Sequence, residues 1–303
     1  MYRQSSFSQL PEIVKNLLII NGLFFLAKMT LASEIDMDKL FALHPFQSPD
    51  FEPYQLITHM FMHADFTHLF FNMLAIWMFG KVLENVWGGK RFLIYYIVTG
   101  LGAMILYSIV QHIQISALEA KMTIEQIQHV ASDEGYDCYK KIVELSKSEK
   151  GLNEYGYSLY GIKGAEMKGL LSLYYFPVLG ASGALFGILL AFGMLFPNTR
   201  LHLFASFLIL ISFEIIFSIS LPIFNIFIIL LIISKIVPNL NYYIWHTIPI
   251  KAKYFAIIYG ALELYLGFIS TPDDNVAHFA HLGGMLFGFI LLKYWQKNNT
   301  QFY

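Results

Sequence analysis

Six apolar runs, at 14–32, 68–87, 92–110, 179–196, 254–269 and 279–294, constrain this chain more than any other feature. About 20 mostly apolar residues in helical form cross a bilayer. In hydrocarbon the backbone must satisfy its own hydrogen bonds, so runs like these cross as helices. Charged residues make up 14% of the sequence and apolar ones 56%, against about 25% charged in soluble domains. A globule of that composition in water would expose large apolar patches. The expected fold is an all-α polytopic membrane protein, with residues 1–303 forming a single membrane domain. For the first run a cleaved signal peptide is the alternative, with Leu31-Ala32-Ser33 as its cleavage site; its length and late start favour a span. Lys15 and Lys28 are placed to snorkel to its two interfaces.

A further apolar stretch, 201–243, interrupts this pattern between the fourth and fifth runs. It carries Glu214 and Pro222 and reads as two short spans, a re-entrant hairpin or an interfacial pair. The connection at 33–67 is long and rich in aromatics. It is either partly seated in the membrane interface or an ordinary outer loop. The connection at 111–178 mixes both charge signs and reads as polar helices outside the bilayer. Lys90, Arg91, Arg200, Lys251, Lys253, Lys293 and Lys297 all fall on one side if the N-terminus is cytoplasmic. Both termini are therefore expected in the cytoplasm, with 111–178 outside. The net charge of −1 gives no footing for nucleic acid, and the single cysteine, Cys138, excludes an internal disulfide or a cysteine metal cluster.

Three constellations carry chemistry. Ser182 heads the fourth run within Gly180-Ala181-Ser182-Gly183, and His281 heads the last within Ala280-His281-Leu282-Gly283-Gly284. Gly183 with Gly187, and Gly284 with Gly288, form two small-residue steps at i, i+4 that allow helices to pack closely. Docked together, those faces would bring an alcohol to an imidazole, the minimum for nucleophilic catalysis. Taken singly, Ser182 reads as part of a packing motif and His281 as a buried structural histidine. Glu263 lies mid-span in the fifth run and no carboxylate occupies an obvious triad position, so a Ser-His dyad is the simpler reading. An aromatic ring would then orient the histidine, and Phe186 lies one turn beyond Ser182.

The third constellation is His59, His63, His68 and Asn72. His68 and Asn72, at i and i+4, share a helix face and suit hydrogen-bond donation to an oxyanion. His59 and His63 have the spacing of a zinc pair, but Met60 stands where a metalloprotease helix carries glutamate, so no metal is expected.

His59-x3-His63-x4-His68-x3-Asn72, Gly180-Ala-Ser182-Gly183 and Ala280-His281-x2-Gly284-x3-Gly288, in that order on separate spans, resemble the rhomboid intramembrane serine proteases. The resemblance covers roughly 54–100, 178–198 and 250–292. It implies a six-helix transmembrane bundle with a water-accessible cavity facing outward, here with an extra apolar insertion between the fourth and fifth core helices. It also implies Ser182 as nucleophile and His281 as general base. His68, Asn72 and the Ser182 N–H, helped by Gly180, would form the oxyanion hole, with His63 structural. The substrates implied are single-span or other membrane proteins, cut in or near a transmembrane segment without metal or nucleotide. The location implied is a bacterial inner membrane. Many members carry Trp-Arg in the first outer loop where this chain has Tyr54-Gln55. The alternatives are a catalytically silent relative that binds transmembrane clients, and a proton-relaying transporter, for which no internal repeat is visible.

Overall fold

The computed structural model describes residues 10–48, 50–132, 135, 137, 164–201, 250–269 and 277–298. Most of the apolar insertion, the middle of the 111–178 connection with Cys138, and the turn with Asp273 and Asp274 lie outside the described residues. The described chain is helical: α1 Glu12–Thr30, α2 Met37–Phe41, α3 Gln55–Thr58, α4 Phe66–Ala75, α5 Lys81–Trp87, α6 Gly89–Glu119, α7 Ile124–Val130, α8 Gly164–Tyr175, α9 Ser182–Leu195, α10 Ala252–Ile269 and α11 His278–Asn298. A widened π-type turn, Ile76–Gly80, makes α4 and α5 one continuous rod. Among the described residues, four helical stretches are long and apolar enough to cross a membrane: α1, the α4–α5 rod, α6 and α10. This is a polytopic helical membrane protein. The 14-residue α9 is apolar but shorter. The 31-residue α6 continues beyond the apolar run at 92–110. At 1.5 Å per residue it spans about 46 Å, longer than the ~30 Å hydrocarbon core.

Contacts divide the chain into two units, Met1–Ile188 with Leu262–Tyr303, and Leu189–Ala261. In the second, a two-residue strand β1 (Arg200–Leu201) pairs antiparallel with β2 (Ile250–Lys251), and Ala252 N–H donates to the Thr199 carbonyl at 2.9 Å. The two flanks of the apolar insertion are therefore closed on each other.

In the first unit, α11 runs along α6. The buried carboxylate of Glu84 on α5 accepts from Ile13 N–H at 2.9 Å and Val14 N–H at 2.7 Å. Those donors, in the first turn of α1, have no partner within their own helix. At the opposite end of α1, Lys28 is drawn inward rather than left to snorkel. Its Nζ donates to the His63 carbonyl at 2.9 Å and pairs with Asp38 at 2.7 Å.

The loop at 33–67 is anchored by Gln55, which is fully buried. Its Oε1 accepts from the His44 and Glu52 N–H groups, at 3.2 and 3.1 Å. Its Nε2 donates to the carbonyls of Asp50 at 2.9 Å, Leu40 at 3.3 Å and Lys39 at 3.4 Å. A neutral amide thus gathers five backbone groups. The loop is also stitched to the chain just before Ser182. Leu43 and Val178 exchange two backbone hydrogen bonds of 2.8 Å, and Gly180 N–H donates to the His59 carbonyl at 2.9 Å. Gln55→Ala strands several of these groups, each costing about 1–3 kcal/mol if left buried and unpaired. The expected outcome is a melting temperature lowered by several degrees in detergent, with faster proteolysis confined to 33–67.

Candidate active site

Ser182 opens α9 and His281 lies in the first turn of α11, and their side chains meet. His281 Nε2 is 2.9 Å from Ser182 Oγ. Missing side chains make this approach possible. A Cβ on Gly284 would overlap the Gly183 carbonyl, one on Gly187 would lie 2.9 Å from the Gly284 carbonyl oxygen, and one on Gly288 would lie 3.2 Å from Gly187 Cα. The two glycine faces are therefore in backbone contact. Helix α6 closes the third side: Ala103 packs against Gly183, and Tyr95 Oη donates to the Gly187 carbonyl at 2.9 Å. The Phe186 ring stacks on His281, with centroids 4.2 Å apart and planes within 8°.

Asp65 caps α4 by accepting from His68 N–H at 2.8 Å, which fixes the register that sets His68 and Asn72 on one face. Both side chains reach Gly180, whose φ of +118° favours glycine. A Cβ there would lie 2.8 Å from His68 Nε2 and 3.6 Å from Asn72 Nδ2. Because the Gly180 N–H is committed to His59, its help to an oxyanion hole is the room it leaves rather than a donated proton. Asn72 Nδ2 also donates to His63 Nε2 at 2.9 Å, so His63 orients the amide. The first N–H groups of α9, beginning at Ser182, lack intrahelical acceptors and point toward the same end.

His59 and His63, outside the spans, are held neutral. Burial depresses His59 to about 4 against the opposing pull of its bond to the Gln55 carbonyl. Burial depresses His63 to about 3, with the neighbouring His68 adding to the effect. The two rings serve different partners, His59 Nδ1 the Gln55 carbonyl and His63 Nε2 the Asn72 amide.

Sequence reasoning missed a carboxylate. Glu263, on α10, places Oε2 2.7 Å from His278 Nδ1 and 2.9 Å from His281 Nδ1. The first contact is a hydrogen bond. The second has ion-pair distance, but the Nδ1 atom is out of line for a hydrogen bond. Glu263 is 7% exposed, His278 3% and His281 8%, so the carboxylate has little recourse to water. A signal for it existed: a carboxylate inside a span is costly and implies a partner, and His278 and His281 lie at i, i+3 on the next helix. The three donor atoms, within 4.8 Å of one another, also form a set a divalent cation could use. Their separations favour hydrogen bonding, since tetrahedral ligands at about 2.0–2.1 Å from zinc lie about 3.3 Å apart.

The Rhomboid domain family model matches residues 50–117, which hold His59, His63, His68 and Asn72 and end before Ser182. Two relatives from Bacillus subtilis (strain 168) match over 50 residues each, 16% of this chain. "Putative rhomboid protease YdcA" is 44% identical, over 25% of its own length. "Rhomboid protease GluP" is 38% identical, over 10% of its length. Over residues 50–117 the chain is similar to the rhomboid family, and these matches support membership in it. The matches thus span a quarter or less of these rhomboid relatives.

Two outcomes follow from the site. Gly180→Ala combines a strained φ with a clash against His68, and is expected to cost about 1–3 kcal/mol, read as a lowered melting temperature. His59 and His63 bind protons more readily in the unfolded chain, whose histidines titrate near 6.5, than in the fold. Unfolding therefore takes up protons between about pH 6.5 and 3, and stability is full above that window and declines through it. Melting temperatures should fall from pH 7 to pH 5, with a shallower slope in His59→Gln.

Proposed function

We propose that this rhomboid is an intramembrane serine endopeptidase that cuts membrane-anchored proteins in or near a transmembrane segment. The observation that carries the reading is the 2.9 Å contact between Ser182 Oγ and His281 Nε2 at the heads of two apolar helices. In this reading residues 1–303 form one domain with a six-helix core and an added apolar insertion. Its termini face the cytoplasm of a bacterial cell, and the site opens to the outer side.

The chemistry is acyl transfer. Ser182 Oγ bonds to the scissile carbonyl carbon as its proton passes to His281 Nε2, and the carbonyl π electrons move to oxygen. His68, one Asn72 N–H and the Ser182 N–H receive that oxyanion. Collapse breaks the C–N bond, and the leaving amine takes the proton from His281. Water then attacks the acyl-serine, gives a proton to His281 and releases the carboxylic acid, and that proton returns to Ser182. Phe186 holds the imidazole plane throughout. Proton transfer by a positioned base contributes typically 10²–10⁴-fold, and one oxyanion donor about 10²–10³-fold.

A fluorophosphonate probe on the detergent-solubilised chain should label the wild type and leave Ser182→Ala unlabelled. Cleavage of a single-span reporter should be lost with the label, and Asn72→Ala should lower kcat about 10²-fold. Labelling indifferent to Ser182→Ala would defeat the assignment. A wild type that binds single-span clients but neither labels nor cuts would be the silent relative.

A further inference from the structure

Resting on that protease reading, we infer that Glu263 is a positioning residue for the general base, anchored by His278, so that the site works as a buried Ser182–His281–Glu263 array rather than a dyad. The geometry is specific. One carboxylate oxygen, Oε2, faces both imidazole Nδ1 atoms, at 2.7 Å from His278 and 2.9 Å from His281. The other nitrogen of His281, Nε2, faces Ser182 Oγ. A carboxylate at Nδ1 favours the tautomer that carries its proton there, leaving the Nε2 lone pair for the serine proton. When that proton arrives, the carboxylate faces an imidazolium.

The fold fixes the carboxylate from two directions. His278 Nδ1 donates to it in an aligned bond, while His281 Nδ1 stands at the same oxygen out of line. A small rotation of the His281 ring would align it, as catalytic hydrogen bonds often tighten only when substrate is bound. Gly267 lies one turn beyond Glu263 on α10, and a Cβ there would lie 3.1 Å from Phe279 and 3.4 Å from the Cβ of His278. The absent side chain lets α10 lie close enough to the head of α11 for Glu263 to reach. Phe186 covers one face of the imidazole but cannot choose its tautomer, so stacking and carboxylate do different work.

The test compares the full-length wild type with E263Q and H278Q in detergent, using a single-span reporter protein and the fluorophosphonate probe. Melting temperatures are taken in the S182A background, and wild type and E263Q are compared by ¹⁵N-histidine NMR. The expected result for E263Q is a kcat about 100-fold lower with KM within threefold and a melting temperature within a few degrees. H278Q loses about tenfold, because Glu263 remains but is held from one side. In the wild type the His281 spectrum shows Nδ1 protonated and Nε2 bare, and E263Q loses that signature. An E263Q kcat within threefold of wild type overturns the inference and leaves the protease reading standing. So does an activity loss that tracks a collapsed melting transition, or a wild type that chelators inactivate and zinc restores. A wild type that neither labels nor cuts sinks the protease reading instead. In that last case the tautomer of His281 alone decides whether Glu263 sets the ring: unchanged by E263Q, it overturns the inference; altered, it upholds the positioning role.

Discussion

Backbone contact between α9 and α11 is the constraint on which the site depends. The Ser182–His281 distance is set by how closely two helix axes approach, and Gly183, Gly187, Gly284 and Gly288 set that approach. In lipid no hydrophobic effect drives apolar helices together, so close van der Waals packing of small residues and interhelical hydrogen bonds must do it. The Tyr95 bond to the Gly187 carbonyl is one such bond, made where the absence of a side chain leaves the carbonyl reachable. A single methyl group on this seam would separate the helices and lengthen a contact that proton transfer needs short.

A second, polar constraint acts where the chain enters α9. The segment entering α9 is held by Leu43 and by the His59 carbonyl, and both belong to a loop whose own shape depends on Gln55. Lys28 ties the end of α1 to the His63 carbonyl, one turn before His68. The oxyanion-hole candidates are thus positioned by a chain of backbone hydrogen bonds that runs through the loop. Interior polar networks like this one specify a conformation when every member is paired, and lose that value when one is removed.

Legibility in the sequence followed periodicity. The Ser182 and His281 faces could be read because glycines four apart lie on one side of a helix wherever it sits, and His68 with Asn72 for the same reason. Gln55 was illegible because an irregular loop has no period, and its five partners are backbone groups that any sequence supplies. Glu263 was visible as an oddity mid-span, but its partners lie on another helix, and the rotation that turns it toward α11 is fixed by tertiary packing at Gly267. The far end of α6 escaped for a different reason. Hydropathy marks where a helix meets lipid, and the last turns to Glu119 continue where that signal has ended.

The carboxylate at the head of α11 also bears on how a membrane-embedded site can hold charge. A buried ion without partners costs several kcal/mol, and Glu263 meets that cost through hydrogen bonding to His278 and proximity to His281. In the proposed reaction, before proton transfer, the His281 ring acts as the base and offers the carboxylate only a dipole. Once the serine proton is transferred it offers a full positive charge, in surroundings where water screens little. On that reading the interaction is stronger in the transition state than in the ground state, which is the condition for a contact to raise kcat rather than merely tighten binding. On the same reading, an acid that would burden an apolar helix as a lone charge becomes useful because its counter-charge appears only during the proposed reaction.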